Sequence, residues 1–155
     1  MGTAIGLVSD PESPSLTLLQ FNTLFKNPMP EAFVVQARAS EADVITLQEV
    51  SRSTVRIMDA LKTDYPHQLL CKFAGVGGVA VLSRRAPVKQ VCVEGKGVVW
   101  MRVVVNEREV TVASIHLHWP WPYKQYGQIT DISSHLAQLP QPLVIAGDFN
   151  AAPWS

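Results

Sequence analysis

The stretch Leu143-Val-Ile-Ala-Gly-Asp-Phe-Asn150 decides how the rest of the chain is interpreted. Its first four residues are apolar and are bounded by proline and glycine, which predicts a short buried strand over 143–146. Asp148 and Asn150 follow, and side chains two apart on an extended backbone point to the same side. Gly147 has no Cβ, so another group can approach the backbone closely. The stretch therefore predicts an acid and an amide at the carboxyl end of a buried strand, where a metal-bound phosphate can lie. The alternative is an Asp/Asn turn that only ends the strand.

The first third of the chain has the pattern of an α/β fold. Apolar runs predict strands over 16–21 and 43–48, and Phe33, Val34 and Ala37 mark one face of a helix over 31–40. Ser51 or Ser53 can cap a second helix, in which Val55, Met58 and Leu61 recur at helical spacing. The order strand, helix, strand, helix is typical of βαβ units.

The middle of the chain has a different pattern, with short β-branched runs separated by turn residues. This spacing predicts hairpins and mainly antiparallel pairing. The predicted strands are 68–73, 79–83, 88–93, 98–105 and 109–116. The glycines at 75, 77 and 78 are interpreted as a turn rather than a phosphate loop, because neither a helix nor Lys-Ser/Thr follows. A helix over roughly 123–139 then leads to the last strand.

Composition limits the class of protein. The 155 residues are 47% apolar and 17% charged, which is typical of one globular domain. Thirteen basic and thirteen acidic residues cancel, which argues against binding nucleic acid through the overall field. Cys71 and Cys92 lie in apolar runs and are interpreted as buried free thiols. No apolar run is long enough to span a bilayer.

Polar groups stand at or just after the ends of four predicted strands. They are Asn22, Glu49, His116 and the Asp148/Asn150 pair. Ligands of α/β sheets gather at the carboxyl ends of strands, so these side chains can converge. A carboxylate suits Mg²⁺, and the amides can hold the ion or orient a phosphate. His116 can donate to a phosphoryl oxygen in the transition state, and Asp148 can orient or deprotonate a water molecule.

Five short motifs resemble, in order and spacing, those of the endonuclease/exonuclease/phosphatase family. They are Gln20-Phe-Asn22, Leu47-Gln-Glu-Val50, Gly78-Val-Ala-Val-Leu-Ser-Arg84, Ile115-His-Leu117 and Gly147-Asp-Phe-Asn-Ala151. This family includes exonuclease III-type nucleases, pancreatic deoxyribonuclease, inositol polyphosphate 5-phosphatases and sphingomyelinases. The resemblance covers residues 16–155.

The resemblance implies a four-layer α/β sandwich of the deoxyribonuclease-like type, with mixed, mainly antiparallel sheets. It implies Mg²⁺-dependent hydrolysis of a phosphodiester or phosphomonoester, with Mn²⁺ as an alternative ion. It assigns metal binding to Glu49, Asn22 and Asp148, and a phosphate contact to His116. Asp148 and Asn150 are then expected to position the water molecule. The substrate can be a nucleic acid, a lipid or a small molecule.

The family pattern continues beyond this sequence, to a Ser-Asp-His-type motif that has no match here. The resemblance therefore implies a truncated domain over 16–155 that lacks its C-terminal part and has impaired turnover. The later strands are expected to form a second sheet with an exposed edge, so we expect self-association or binding of the missing segment. Residues 1–15, with Asp10-Pro-Glu-Ser-Pro-Ser15, look like a linker. The ending Asn-Ala-Ala-Pro-Trp-Ser is similar to that of a bacterial subgroup anchored by membrane helices, which favours an extracytoplasmic domain over a cytoplasmic one.

Three alternatives accompany this interpretation. The chain can be a non-catalytic interaction module that retains the fold. His118, two residues from His116, can share its face and form a zinc pair. The loop Trp119-Pro-Trp-Pro-Tyr123 can stack on a base, touch a lipid surface or pack against the protein, and of these we favour packing.

Overall fold

The computed structural model describes residues 15–121 and 124–151. Eight strands and three helices follow one another in these ranges. They are β1 (Leu18–Asn22), α1 (Glu31–Ser40), β2 (Val44–Val50), α2 (Arg56–Ala60), β3 (His67–Ala74), β4 (Gly77–Ser83), β5 (Pro87–Val93), β6 (Val98–Val105), β7 (Arg108–His116), α3 (Gln125–Ala137) and β8 (Leu143–Asp148). Each predicted strand and helix is present, with boundaries that differ by a few residues.

The strands form two four-stranded sheets. Their orders are β1-β2-β4-β3 and β5-β6-β7-β8. In each sheet one pair is parallel, β1 with β2 and β7 with β8, and the other pairs are antiparallel. The parallel pairs are joined through α1 and α3. Three of the antiparallel pairs, β3/β4, β5/β6 and β6/β7, are consecutive strands joined by short turns, whereas α2 and β3 lie between β2 and β4 in the chain. The predicted mixed, mainly antiparallel arrangement is confirmed.

The sheets and helices make four layers. Between the sheets lies a core rich in valine, which includes Val44, Val81, Val99, Val103 and Val112. On the outer face of the first sheet, Phe33, Val34 and Ala37 of α1 pack with residues of α2 and β2. On the outer face of the second sheet, Ile132 of α3 packs on Val98 and Ile115. The predicted apolar face of α1 is therefore the one that is buried.

Gly147 allows the second parallel pair to form. A Cβ on this residue would lie 1.9 Å from the carbonyl oxygen of Ile115 on the neighbouring strand β7. The sequence predicted a close approach to this backbone, and the approaching group is another strand of the sheet.

Cys71 and Cys92 form a disulfide with their Cα atoms 5.3 Å apart, so the interpretation as free thiols is wrong. Cys71 lies in β3 and Cys92 in β5, strands at the edges of different sheets that contact each other. The bond therefore fastens one sheet to the other. The residues are 21 apart in sequence, and their proximity depends on how the sheets stack, which a strand pattern does not predict.

The cap predicted for the second helix is also wrong. The N-cap of α2 is Val55, which makes no side-chain cap hydrogen bond. The hydroxyls of Ser51 and Ser53 instead donate to the carbonyl oxygen of Phe25, at 2.7 and 2.6 Å. These two serines hold the loop after β1 in place rather than the start of the helix.

The second sheet has β8 at one edge, and β1 is at the edge of the first sheet on the same side of the sandwich. Val144 of β8 is 36% exposed. The predicted linker lies outside the described residues except for Ser15, as do Pro122 and Tyr123 of the aromatic loop. Within the described ranges, no helix combines the length and hydropathy of a membrane span.

Candidate metal centre and active site

The candidate site lies where the two parallel strand pairs end. Asn22 at the end of β1 is in register with Gln48 of β2, and His116 at the end of β7 is in register with Asp148 of β8. One pair belongs to each sheet, and the two sheets face each other. The polar residues at these strand ends therefore meet across the gap between the sheets.

Glu49, His116 and Asp148 form a compact cluster. Each offers one ligand atom, and these atoms lie within 4.8 Å of one another. The Nε2 atom of His116 is 4.0 Å from Oε1 of Glu49, and the side chains of both residues are largely buried. Glu49 and Asp148 therefore lie on the same side of the molecule, although 99 positions, 148 minus 49, separate them in sequence.

Asn22 holds the two carboxylates together. Its Nδ2 atom donates to Oε1 of Glu49 at 3.0 Å and to Oδ2 of Asp148 at 2.9 Å. Its amide oxygen accepts a hydrogen bond from the backbone N–H of Leu24 at 2.9 Å. In this orientation the NH₂ group, not the oxygen, faces the cluster, so Asn22 binds the carboxylates, and its amide would have to turn to bind a cation.

A bulge in β2 directs Glu49 into the site. The pairing of β2 with β4 shifts between Leu47 and Val50, and both of these residues pack on the helix side of the sheet. The inserted Glu49 has a φ of 57°, and its Oε2 atom accepts from the N–H of Phe25 at 3.0 Å. A bulge re-aims a side chain, and the left-handed conformation is uncommon for a residue with a Cβ. Strict alternation would place Glu49 on the side of Leu47, away from His116.

Gly77 on the adjacent strand leaves the space that this bulge occupies. Its φ is 115°, and a Cβ there would lie 2.8 Å from the carbonyl carbons of Glu49 and Val50. From the sequence alone this glycine is interpreted as part of a turn only. Gly77 and Glu49 are 28 residues apart, 77 minus 49, and only the pairing of β2 with β4 brings them together. The sequence pattern does not show which strands pair.

His116 is held in an environment that favours its neutral form. Burial lowers the pKa of His116 below the ordinary value, and His118 acts in the same direction, whereas the carboxylates of Asp148 and Glu49 raise it. Its Nδ1 atom is buried and has no hydrogen-bond partner among the described residues. At neutral pH the imidazole is therefore uncharged and can donate or accept a proton through its nitrogen atoms.

Asn150 lines the same cavity as Glu49 and His116, but its side-chain amide binds outside the ligand cluster. Its Nδ2 atom donates to the carbonyl oxygen of Leu117 at 2.5 Å, and its backbone N–H donates to Oδ1 of Asp148 at 2.9 Å. The second bond is the Asx-type contact of the turn that the sequence offered as an alternative. The turn and the site are both present, since Asp148 uses Oδ1 for the turn and Oδ2 for Asn22.

An aromatic wall that the sequence did not predict closes one side of the cavity. The ring of Phe73 in β3 lies 5.7 Å from that of His116 and 4.8 Å from that of His118. His118 contacts this wall and is not in the three-residue ligand cluster found among the described residues, so the zinc-pair alternative gains no support. Trp119 also lines the cavity.

The described part of the aromatic loop, residues 119–121, does not pack against the protein as favoured. Trp119 is 63% exposed and Trp121 is 84% exposed. The loop leaves β7 at the site and is tied there by Gln125, whose Nε2 atom donates to the carbonyl oxygens of His118 and Phe149. Its indole rings are therefore presented to the solvent beside the cavity.

The donor atoms of the cluster fit a divalent cation. Two carboxylates and one imidazole converge, and the carboxylates repel each other unless a positive charge or a hydrogen-bond donor lies between them. Oxygen ligands of this kind suit Mg²⁺ and Mn²⁺, and Mg²⁺ commonly uses only one or two carboxylates. The residues present are thus adequate for the ion that the sequence resemblance implies.

The two stacked mixed sheets, flanked by helices and carrying an acidic site at their joined ends, define a phosphoesterase fold of the deoxyribonuclease-like type. The sequence pattern of the Endonuclease/Exonuclease/phosphatase family matches residues 19–155. The chain belongs to this family. A comparison with curated protein sequences gave no match.

Solved structures with the same fold include three that illustrate its range. A variant of beta toxin from Staphylococcus aureus with bound magnesium ions is 16% identical, with a TM-score of 0.71 over 90% of this chain and 66% of that one. A humanized D. rerio TDP2 is 15% identical, with a TM-score of 0.73 over 91% and 64% of the two chains. Sphingomyelinase C from Streptomyces griseocarneus is 22% identical, with a TM-score of 0.66 over 92% and 67%. The chain thus spans about two thirds of the length of each.

Proposed function

We propose that this protein is a metal-dependent phosphoric ester hydrolase that cleaves a phosphodiester or a phosphomonoester with an activated water molecule. The observation that carries the proposal is the convergence of Glu49, His116 and Asp148 within 4.8 Å at the joined strand ends. Membership in the Endonuclease/Exonuclease/phosphatase family supports the reaction class. Nucleic acids, lipids and small phosphoesters are all substrates of the kind that such a site accepts.

In this proposal Glu49 and Asp148 hold Mg²⁺ or Mn²⁺, with Asn22 beside them. When bound, the cation polarises a phosphoryl oxygen and offsets negative charge. The magnesium bound by the beta toxin variant supports the choice of ion. Asn22 keeps the two carboxylates in place by donating to both of them.

The remaining roles follow from charge and position. His116 is neutral at pH 7 because burial lowers its pKa, so it can donate from Nε2 to a phosphoryl oxygen as charge develops there. Asp148 orients or deprotonates the attacking water, and Asn150, on the wall of the same cavity, helps to position it.

We also propose that turnover by this chain is impaired. The ligand cluster of the described residues contains one histidine, and the Ser-Asp-His-type motif of the family pattern has no match in this sequence. The chain also spans only about two thirds of the solved structures named above. Metal binding is therefore the first property to test, and turnover the second.

Isothermal titration with Mg²⁺ and with Mn²⁺ tests the proposal. We expect binding to the native chain and its loss in Glu49→Gln, a change that removes the charge and preserves the shape. Glu94→Gln is the matched control, because Glu94 is exposed in the turn after β5. Absence of binding in the native chain would favour the non-catalytic interaction module. The rates at which the native chain and His116→Gln hydrolyse bis(4-nitrophenyl) phosphate are then compared, to show whether slow turnover depends on the site.

The location of the protein is a separate proposal. We propose that residues 16–155 form a domain held in an oxidising, extracytoplasmic compartment, with residues 1–15 as a linker. The Cys71–Cys92 disulfide supports this location over the cytoplasm, where thiols are kept reduced. Maleimide labelling of the unfolded protein from its own cells is expected to modify neither cysteine before reduction and both afterwards. Labelling of both without reduction would favour the cytoplasmic alternative.

A further inference from the structure

A buried polar bridge joins the two sheets directly behind the candidate site. Gln48 and Ser114 are both fully buried, and Nε2 of Gln48 donates to Oγ of Ser114 at 3.0 Å. Ser114 in turn donates to the carbonyl oxygen of Leu47 at 3.1 Å. The Oε1 atom of Gln48 accepts from Nε2 of Gln20 at 2.6 Å. One hydrogen bond of the bridge is therefore donated from the first sheet to the second, and another from the second sheet back to the first.

This bridge lies in a largely apolar layer. The core between the sheets consists largely of valine, with Met101 and Cys71. Valine side chains fill space without fixing one relative position of the two sheets, because dispersion contacts are not directional. A buried hydrogen bond is directional, and breaking it leaves unpaired polar groups without water. The Gln48–Ser114 pair is therefore suited to fix the register between the sheets.

The bridge is adjacent in sequence to both halves of the cluster. Gln48 immediately precedes Glu49, and Ser114 lies on the same face of β7 as His116 because strand side chains alternate. Ser114 is in register with Ala146, and His116 with Asp148, so the bridge is one step behind the site along the strands. A shift between the sheets at this point would change the separation of Glu49 from His116 and Asp148.

Glu49 itself needs support from its neighbours. Its backbone is in the left-handed region, and a strained conformation persists only where the surroundings fix it. Gly77 leaves space for it on one side. Gln48, the residue before Glu49, is anchored to the other sheet by its hydrogen bond to Ser114.

We propose that Gln48 and Ser114 are positioning residues that set the distance of Glu49 from His116 and Asp148. The proposal rests on the function proposed above, since it concerns the geometry of the same site. Neither residue touches the substrate in this proposal. They act by holding the two strand ends, one from each sheet, at the spacing that a single cation requires.

A paired substitution separates positioning from stability. Ser114→Ala leaves the buried Nε2 of Gln48 without its acceptor, so it is expected to lower the thermal midpoint. Gln48→Met leaves Ser114 its bond to the Leu47 carbonyl oxygen and frees Nε2 of Gln20, an exposed residue, so its effect is expected to be smaller. The double variant removes both members of the bridge, and its midpoint is expected to recover above that of Ser114→Ala. We nevertheless expect the double variant to bind Mg²⁺ about tenfold more weakly, the loss typical of residues that orient metal ligands. In the double variant we expect kcat to fall with little change in KM. Ser114→Thr, which keeps the hydroxyl, is expected to bind Mg²⁺ more tightly than Ser114→Ala.

Thr46→Val is the matched control. Thr46 is fully buried in β2, two residues before Gln48, and its hydroxyl has no partner among the described residues. The change removes a buried hydroxyl from the same strand and is expected to leave Mg²⁺ affinity unchanged. Equal affinity in the native chain and in the double variant would overturn the proposal.

A readout without metal keeps the proposal independent of the proposed function. The side-chain NH₂ of Asn22 bridges Glu49 and Asp148, so its NMR resonances report directly on the spacing of the two carboxylates. In EDTA we expect these resonances to shift in the double variant and to stay in place in Thr46→Val. If the native chain binds no Mg²⁺, the hydrolase proposal fails and this measurement still decides the positioning proposal. Unchanged Asn22 resonances in the double variant would refute it.

Discussion

Removal of the Cys71–Cys92 bond is a quantitative test of how the two sheets are held together. The bond joins residues 21 apart in sequence, and it joins edge strands of different sheets. In the chain-entropy treatment a loop of this length contributes about 3 kcal/mol to the free energy of unfolding. For a domain of about 150 residues each kcal/mol corresponds to about 2–4 °C, so the midpoint is expected to fall by roughly 10 °C.

The assay is differential scanning calorimetry of the native chain and of Cys71→Ala/Cys92→Ala, each with and without dithiothreitol. The native chain is expected to lose the full increment on reduction, and the double variant to be insensitive to the reductant. Cys71 is buried, so part of any loss in the variant comes from the smaller side chain. Comparison of reduced native chain with the variant isolates that part. If reductant leaves the midpoint of the native chain unchanged, the inference that the bond fastens the two sheets is wrong.

Four further predictions follow from the described geometry. Gly147→Ala is expected to lower the free energy of unfolding by about 3 kcal/mol in urea titrations, the upper end of the typical cost of overpacking, because the new Cβ meets the carbonyl oxygen of Ile115. The folded-state pKa of His116 is lowered, so its contribution to stability is complete above its unfolded pKa and is lost as the pH falls through the folded value. In EDTA, urea midpoints of the native chain should therefore fall more steeply below about pH 6.5 than those of His116→Gln, and parallel curves would contradict this. Trp119→Ala and Trp121→Ala, at exposed positions, should each change stability by less than about 0.5 kcal/mol, and a larger loss would restore the packing interpretation. We propose that the edges formed by β1 and β8 associate with a second copy of the chain or with the C-terminal segment that the resemblance implies. If they bind a second copy, light scattering should show a species larger than a monomer.

The order of strands and helices was predictable because it depends on local pattern. Apolar alternation, turn residues and helical spacing are each visible within about ten residues of sequence. The boundaries of α1 and of β6 agree with prediction for this reason. The cap of α2 was mispredicted because serine hydroxyls near a helix have other backbone acceptors, and here Phe25 of a distant loop provides one.

The convergence of the site could be expected from one topological rule. Asn22, His116 and Asp148 end strands that run parallel to a neighbour, and polar groups at the carboxyl ends of such strands gather at one edge of a sheet. The rule does not predict that Asn22 faces the carboxylates with its NH₂ group, or that Glu49 needs a bulge and Gly77. Those details depend on pairing between β2 and β4, which are far apart in sequence.

The sequence pattern does not predict contacts between the sheets, and these contacts set the geometry of the candidate site. Cys71 with Cys92, and Gln48 with Ser114, join strands that no hairpin or βαβ unit places side by side. A site assembled within one sheet would be fixed by the hydrogen-bond ladder of that sheet. Here Glu49 comes from one sheet and His116 and Asp148 from the other, so the spacing of the ligands depends on how the two sheets are held together. Substitution of the residues that join the sheets should therefore change metal affinity, although these residues do not themselves contact the metal.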